Sequence, residues 1–238
     1  AKWISKNILQ DFNLGDSFPS APGHFFDFNN NGHLDFLTVA EGRIKILQNT
    51  GEGRMTNVTD EVSLPETAAT AFGSFDVDND GYQDLLIGTD KLEYNYILWN
   101  REGTDFRDVS VTSMGNFLDK PVQVTVSDLD VNGKADIIYT TSSGNLRWLQ
   151  PAGPLGRWIH ISLAGNPKNG TKVTVISRDK DWILQRIPRT IRDDFSLTIG
   201  LGEASKVESV SLTQPDGTEL IEPLSFLEPD QRVSFNIP

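Results

Sequence analysis

The chain has 238 residues, and 33 Asp and Glu against 21 Lys and Arg give it a formal net charge of −12. This acidic balance excludes the basic surfaces that nucleic acids and anionic membranes require, so we expect neither as a partner. The lack of cysteine excludes disulfides and thiolate metal sites, and the presence of only three histidines argues against a His-rich zinc cluster. Any bound metal must therefore be held by oxygen atoms.

The composition favours a β-rich protein with many turns, because the chain has 20 glycines and 12 prolines and is 37% hydrophobic. It has no apolar run of about 18 residues, so no membrane-spanning helix is predicted. The sequence begins at Ala1 without a methionine, as a mature or trimmed product would.

A nine-residue pattern, D-x-[DN]-x-[DN]-G-x-x-D, occurs three times, and its starts are 49 and 52 residues apart. We name the copies loop 1 (residues 27–35), loop 2 (residues 76–84) and loop 3 (residues 128–136). Three copies of one pattern indicate an internal repeat, which determines the fold class before any single element does.

Strand-like segments surround each loop. One apolar segment precedes the loop, one follows it directly, and two more follow in the first two copies. Four strands in about 50 residues are typical of a propeller blade. The third copy lacks the outer strand, and residues 2–9 resemble it. They are either the strand that completes this blade or the remnant of an upstream blade.

The loop pattern has the chemistry of a calcium site. Calcium prefers six to eight oxygen ligands, and side chains at positions 1, 3 and 5 converge on one ion when a glycine at position 6 permits the turn. Position 12, the glutamate of an EF-hand, is here Thr38, Ile87 or Tyr139 in a strand-like run. The aspartate at position 9 must therefore complete the site, with the backbone carbonyl at position 7.

We predict three Ca²⁺ sites with these ligands. Loop 1 supplies Asp27, Asn29, Asn31, Asp35 and the carbonyl of His33; loop 2 supplies Asp76, Asp78, Asp80, Asp84 and the carbonyl of Tyr82; loop 3 supplies Asp128, Asp130, Asn132, Asp136 and the carbonyl of Lys134. The alternative is an Asx-rich turn without an ion. Four, three and two carboxylates in loops 2, 3 and 1 predict affinities in that order.

The loops, together with Phe72-Gly73 and the recurring strand, Asn and Gly-Glu-Gly turn, resemble the FG-GAP/VCBS repeats of integrin-α-like β-propellers. From residue 157 onwards, four runs with strand-like alternation lie at residues 157–165, 171–176, 196–202 and 207–212. The Trp-led first run, the second run and the turn at Gly200-Leu201-Gly202 resemble the ASPIC/UnbV domain, although its Trp-Pro-x-Gly turn is here Gln214-Pro215-Asp216-Gly217. We therefore expect an all-β chain. Its two parts are a partial or oligomer-completed propeller with three calcium-loop blades (residues 1–152) and a small β-sandwich-like domain (residues 153–238).

No catalytic motif is present, so the sequence predicts a protein that is not an enzyme. Trp99 and Trp148 lie at similar places in blades 2 and 3, where aromatic residues usually fill the core between blades; stacking on a ligand is the alternative. His160 is interpreted as a half-buried or surface residue of a strand.

The resemblance to integrin-α-like propellers implies a calcium-stabilised binding or adhesion module that is secreted, on the cell surface or periplasmic, with protein or glycan as its ligand. The alternatives are a scaffold subunit of a larger complex or a non-catalytic part of a polysaccharide-acting enzyme. Three blades are fewer than propellers usually have, so we expect another copy or a partner chain to supply further blades.

Overall fold

The computed structural model describes residues 23–90, 95–110, 120–152, 155–191 and 195–237. The predicted strand at residues 2–9 lies outside these ranges. Regular structure in the described residues is β-strand, arranged in five sheets, and one short 3₁₀ turn at Thr59–Glu61. None of these residues belongs to a helix with the length and apolarity needed to cross a membrane.

Unit 1 is a four-stranded antiparallel sheet whose strands follow one another in chain order. Its strands are β1 (His24–Phe26), β2 (Asp35–Ala40), β3 (Arg43–Asn49) and β4 (Met55–Asn57). Loop 1 connects β1 to β2, and its last residue is the first residue of β2. Leu37 of β2 lies opposite Ile46 of β3, and both are fully buried.

Unit 2 repeats this sheet. Its strands are β5 (Ala71–Phe75), β6 (Asp84–Gly88), β7 (Tyr96–Asn100) and β8 (Phe106–Asp108), and loop 2 connects the first two. Leu86 and Ile97 take the opposed positions that Leu37 and Ile46 have in unit 1. The predicted four-stranded unit is therefore confirmed twice.

Unit 3 has three strands among the described residues, as expected for the copy that lacks the outer strand. They are β9 (Pro121–Ser127), β10 (Asp136–Thr141) and β11 (Leu146–Leu149), in the order β11-β10-β9, with loop 3 between the first two. Ile138 lies opposite Trp148, so Trp148 corresponds to Ile97 and not to Trp99. The reason is that the connection from β6 to β7 is longer than the connection from β10 to β11.

The units stack face to face, as blades do. One apolar cluster fills the space between units 1 and 2 and includes Leu37, Ile46, Leu85 and Leu98. A second cluster fills the space between units 2 and 3, with Leu86, Ile97, Ile137 and Tyr139 as members. Neighbouring first strands also touch, β1 against β5 and β5 against β9. The N-terminal part is thus a partial propeller.

The C-terminal part is a two-sheet sandwich. Its strands are β12 (Arg157–Gly165), β13 (Lys172–Asp179), β14 (Leu184–Thr190), β15 (Ser196–Gly202), β16 (Ala204–Thr213), β17 (Glu219–Leu227) and β18 (Gln231–Ile237). One sheet has the order β15-β12-β18 and the other β14-β13-β16-β17. Residues from both sheets, among them Ile161, Val175, Ile199 and Val210, form one apolar core.

The sequence patterns identified four of these seven strands, namely β12, β13, β15 and β16. The missed strands include β14, which contains Pro188, and a proline is tolerated there because β14 is the edge strand of its sheet. The division between residues 152 and 153 falls in the segment that joins β11 to β12, and it stays a prediction.

Candidate metal centres

The three loops share one backbone conformation that folds each loop back on its first aspartate. The fourth residue of each loop is in the left-handed region, and the sixth is a glycine with positive φ. The fourth residues are Asn30 (56°), Asn79 (59°) and Val131 (55°), and the glycines are Gly32 (83°), Gly81 (93°) and Gly133 (84°). A β-branched residue is strained in this region, so the surrounding turn imposes the conformation of Val131.

The first carboxylate is the centre of each turn. In loop 2, Asp76 Oδ1 accepts a hydrogen bond from the backbone N–H of Asp80 at 3.0 Å, and Asp76 Oδ2 accepts one from Gly81 at 2.9 Å. Asp27 and Asp128 accept the equivalent pairs of bonds. Because a carboxylate has about four lone-pair positions, these bonds leave capacity for a cation.

The ninth aspartate ties the loop to the strands beside it. Asp84 is buried; its Oδ2 accepts the N–H of Val77, and its Oδ1 accepts the N–H of Asn100, both at 2.7 Å. In loop 1, Asp35 makes the equivalent bonds with the N–H groups of Phe28 and Asn49. The ninth carboxylate is therefore held at a fixed place behind the turn.

Loop 3 differs at this point. Pro151 takes the register position of Asn49 and Asn100, which end β3 and β7, and a proline has no backbone N–H to donate to the ninth aspartate. The side chain of the preceding Gln150 donates to Asp130 Oδ2 at 3.2 Å. Asp136 is fully buried, and its Oδ1 has no hydrogen-bond partner among the described residues. A buried carboxylate oxygen without a partner is costly, and a bound cation would satisfy it.

Two of the loops bring three carboxylates together. Oxygen atoms of Asp76, Asp78 and Asp84 lie within 4.8 Å of one another, and those of Asp128, Asp130 and Asp136 do the same. An all-oxygen set of this kind suits a hard cation such as Ca²⁺. The residues of loops 2 and 3 therefore fit a metal ion.

Loop 1 offers fewer charges. Asp27 and Asp35 are its only carboxylates, and the amides Asn29 and Asn31 take the third and fifth positions. Asn31 Oδ1 accepts the N–H of His33 at 2.8 Å, as Asp80 accepts that of Tyr82 and Asn132 that of Lys134. The carbonyls of His33, Tyr82 and Lys134 stay predicted ligands.

Burial makes the ion-free loops electrostatically unfavourable. Desolvation is the largest cause of raised pKa values in loops 1 and 2, and neighbouring carboxylates add to it in most cases. The pKa of Asp76 is raised to about 8, those of Asp35 and Asp80 to about 6, and those of Asp27, Asp78 and Asp84 are also raised. A nearby cation would favour the ionised form of these carboxyl groups.

One such cation belongs to the C-terminal sandwich. Arg189 of β14 lies between loops 1 and 2, where its guanidinium donates to Asn30 Oδ1 and to the carbonyl of Gly81, both at 2.7 Å. Burial lowers the pKa of Arg189, and the charges of Asp76 and Asp27 oppose that shift. Arg189 thus brings positive charge to two loops at once.

The loops are also bonded to one another. Asn30 Nδ2 donates to the carbonyl of Gly81, and Asn79 Nδ2 donates to the carbonyl of Gly133, both at 2.8 Å. The fourth position of one loop therefore contacts the sixth position of the next. We call this series the loop ladder. Val131, at the fourth position of loop 3, has no side-chain donor to extend it.

The C-terminal sandwich lies across all three loops. Lys172 donates to the carbonyl of Gly32 in loop 1 at 2.7 Å, and Gln185 to the carbonyl of Asp80 in loop 2 at 2.7 Å. Arg232 donates to the carbonyl of Val131 in loop 3. Since each loop has its own contact with the sandwich, loop geometry and sandwich position are linked.

The glycines at this interface allow a close approach. A Cβ atom on Gly200 would lie 2.2 Å from Asp76 Oδ2, and one on Gly133 would lie 2.2 Å from the ring of Trp158. Backbone bonds run across the same contact, with the N–H of Gly202 donating to the carbonyl of Asn79 at 2.6 Å. The sandwich and loop 2 are therefore packed backbone to backbone.

A cavity of about 260 Å³ lies between units 2 and 3 and the sandwich. Asp76, Asp128 and His160 line it. His160 Nδ1 lies 2.9 Å from Thr198 Oγ1, which donates to Asp128 Oδ2 at 3.0 Å. His160 is thus a half-buried strand residue, as predicted, and its partner Thr198 contacts the first carboxylate of loop 3.

Sequence reasoning missed Arg189, Asn30 and Asn79 as parts of this site. The nine-residue pattern leaves the fourth position open, so the two asparagines carried no signal there. Arg189 lies 108 residues along the sequence from Gly81, whose carbonyl it contacts, and no local sequence motif predicts a contact at this separation. The sequence also did not indicate the contact of His24, whose Nε2 lies 2.9 Å from Ser74 Oγ in unit 2.

Comparison with known proteins agrees with this geometry. Residues 27–87 and 76–139 match the family model described as FG-GAP-like repeat. No curated protein matches the chain. A structure of the Photorhabdus luminescens Tc holotoxin pore is 14% identical with a TM-score of 0.38; the match covers 84% of this chain and 11% of that chain. Residues 27–139 are thus similar to FG-GAP-like repeats, and loops 2 and 3 within them hold acidic clusters that could bind a metal ion.

Proposed function

We propose that the protein is a calcium-stabilised binding module, without catalytic activity, that works in an extracellular or periplasmic compartment. The observation that carries this proposal is the repeated loop, which in loops 2 and 3 brings carboxylate oxygens of three aspartates within 4.8 Å of one another. The compartment follows from calcium, since extracellular modules bind it at roughly 10⁻⁴–10⁻³ M. The resemblance of residues 153–238 to the ASPIC/UnbV domain is part of the same proposal.

The metal would be held by the predicted ligands of each loop. Loop 2 has four carboxylates, loop 3 has three and loop 1 has two, so we expect affinities in that order. Bound calcium would neutralise the buried carboxylates and satisfy Asp136 Oδ1. The role of the ion is structural in this proposal, because it fixes the turns on which the units and the sandwich meet.

Thermal unfolding of the full chain in calcium and in a chelator tests the calcium part. We expect millimolar Ca²⁺ to stabilise the fold by about 1–3 kcal/mol per occupied site. Asp78→Ala should reduce this gain more than Asn29→Ala, which is the matched change in loop 1. An unfolding temperature that is the same with and without chelator would contradict the proposal.

A scaffold subunit of a larger complex is the second candidate. Unit 3 supports it, because Leu146 and Trp148 of β11 are 71% and 53% exposed on its outer face. Large exposed apolar side chains on one face are a feature of interaction surfaces. The two candidate functions differ in the binding partner: the binding module would bind a ligand, and the scaffold subunit would bind a neighbouring subunit.

A further inference from the structure

The outer face of unit 3 carries a surface on which none of the other described sheets packs. Strand register places six side chains on this side of the sheet, in two cross-strand rows of three. We call it the third face: Gln123 and Thr125 of β9, Ile138 and Thr140 of β10, and Leu146 and Trp148 of β11. The opposite side of the same sheet, with Ile137 and Tyr139, packs on unit 2.

The equivalent face is covered in both other units. Leu37 in unit 1 and Leu86 in unit 2 have the register position of Ile138, and both are 0% exposed beneath the next unit. Ile46 and Ile97 have the position of Trp148 and are 0% and 2% exposed, against 53% for Trp148. Among the described residues, the third face is thus where the series of stacked sheets ends without a further sheet over it.

The third face also lacks charge. None of its six residues is Asp, Glu, Lys or Arg, in a chain with a formal net charge of −12. Depletion of charged residues around a large aromatic residue is characteristic of the centre of a protein interface. The neutral face is also a place where two acidic molecules can meet with little repulsion between nearby charges.

We propose that the third face binds the third face of a second copy of this chain, so that two copies pair about a twofold axis. In such a pair each face meets its own equivalent, as in the commonest homodimers. Trp148 and Leu146 would pack between the two sheets, and Gln123, Thr125 and Thr140 would lie around them. The dimer would continue the sheet-on-sheet packing that joins the units within one chain.

The size of the face predicts a weak dimer. Three strands about 4.8 Å apart, with about six residues at about 3.3 Å each, cover roughly 300 Å² per copy. Interfaces this small belong to transient complexes, so the dissociation constant should be near micromolar or weaker. This inference extends the partner part of the proposed function, and it can fail without the calcium part failing.

Analytical ultracentrifugation of the full chain tests the proposal. We expect the mass to rise from 26.4 kDa towards twice that value as concentration increases to about 200 µM. Trp148→Glu should place two carboxylates at the centre of the contact and weaken the dimer at least tenfold. Leu146→Glu is the second variant, and both residues are exposed enough for the fold to tolerate the change.

Trp182→Glu is the matched control, because Trp182 is a tryptophan that is 61% exposed on the sandwich and lies outside the third face. It should dimerise like the unchanged chain, with the unfolding temperature of each variant measured alongside. A chain that stays at 26.4 kDa at every concentration would overturn the proposal, as would a dimer that Trp148→Glu leaves intact or that Trp182→Glu disrupts equally. A dimer that forms equally in calcium and in chelator would support this inference whatever the fate of the calcium sites.

Discussion

Arg189 gives the sharpest test of how the sandwich and the loops depend on each other. Its guanidinium donates to groups of loops 1 and 2, and its charge lies near Asp27 and Asp76. Arg189→Gln removes the charge and keeps a side chain with amide donors. We expect the cost of this change to depend strongly on whether calcium is present.

The magnitude follows from the surroundings of the guanidinium. Removing one partner of a fully buried ion pair costs about 3–5 kcal/mol, and because Arg189 is only partly buried we expect about 2–4 kcal/mol in chelator. With calcium bound, the ions compensate the carboxylates and the loss is limited to weakened hydrogen bonds, about 1–2 kcal/mol. In a chain of this size each kcal/mol corresponds to about 2–4 °C in unfolding temperature.

The assay is thermal unfolding of the unchanged chain and the variant, each in chelator and in millimolar calcium. Arg189→Gln should lower the unfolding temperature more in chelator, so that the gain from calcium is larger in the variant. Arg186→Gln, an exposed arginine of the same strand, is the control and should change neither value by more than about 0.5 kcal/mol. Equal losses in both conditions would refute the idea that Arg189 acts as a cation for the loops.

Two further predictions concern charge and packing at the same interface. In chelator, stability should fall as pH rises from about 4 towards 8, because the unfolded carboxyls lose their protons near pH 3.8 while folded Asp76 holds its proton to about pH 8. Calcium should reverse this trend above about pH 6, because it binds the ionised forms of Asp35 and Asp80, whose pKa values are about 6. Unfolding temperatures measured across this pH range check the direction of both trends. An unfolding temperature in chelator that does not change with pH would contradict them. Gly200→Ala should destabilise the chain by about 1–3 kcal/mol and weaken calcium binding, because the new Cβ would clash with Asp76 Oδ2 and the backbone of Asn79. Calorimetric titration measures the calcium affinity. An unchanged affinity would show that loop 2 does not depend on this contact.

The sequence predicted the parts of the site that local chemistry determines. The glycine at position 6 permits the turn, the aspartate at position 1 accepts the hydrogen bonds at its centre, and the aspartate at position 9 is a ligand held behind it. The structure places Gly81, Asp76 and Asp84 in these roles. The strands beside the loops were predicted for the same reason, because apolar β-formers directly follow each turn.

The remainder depends on contacts between distant segments. Pro188 and polar neighbours concealed β14, although this edge strand supplies Gln185 and Arg189 to the loops. Trp148 was expected to fill a core, and its exposure follows from being on the last described unit, where no further sheet covers it. Periodicity identifies which side of a strand is apolar, but not what lies opposite that side.

The loop ladder makes the order of the units directional. A loop that donates a hydrogen bond to the next loop needs an amide side chain at its fourth position, and a loop that accepts one needs only the carbonyl of its glycine. Unit 2 has both, through Asn79 and Gly81, whereas loop 3 can only receive. A duplicated unit 2 could therefore be inserted between units 2 and 3 with every bond of the loop ladder retained, while a unit added beyond unit 3 would first need an asparagine at position 131.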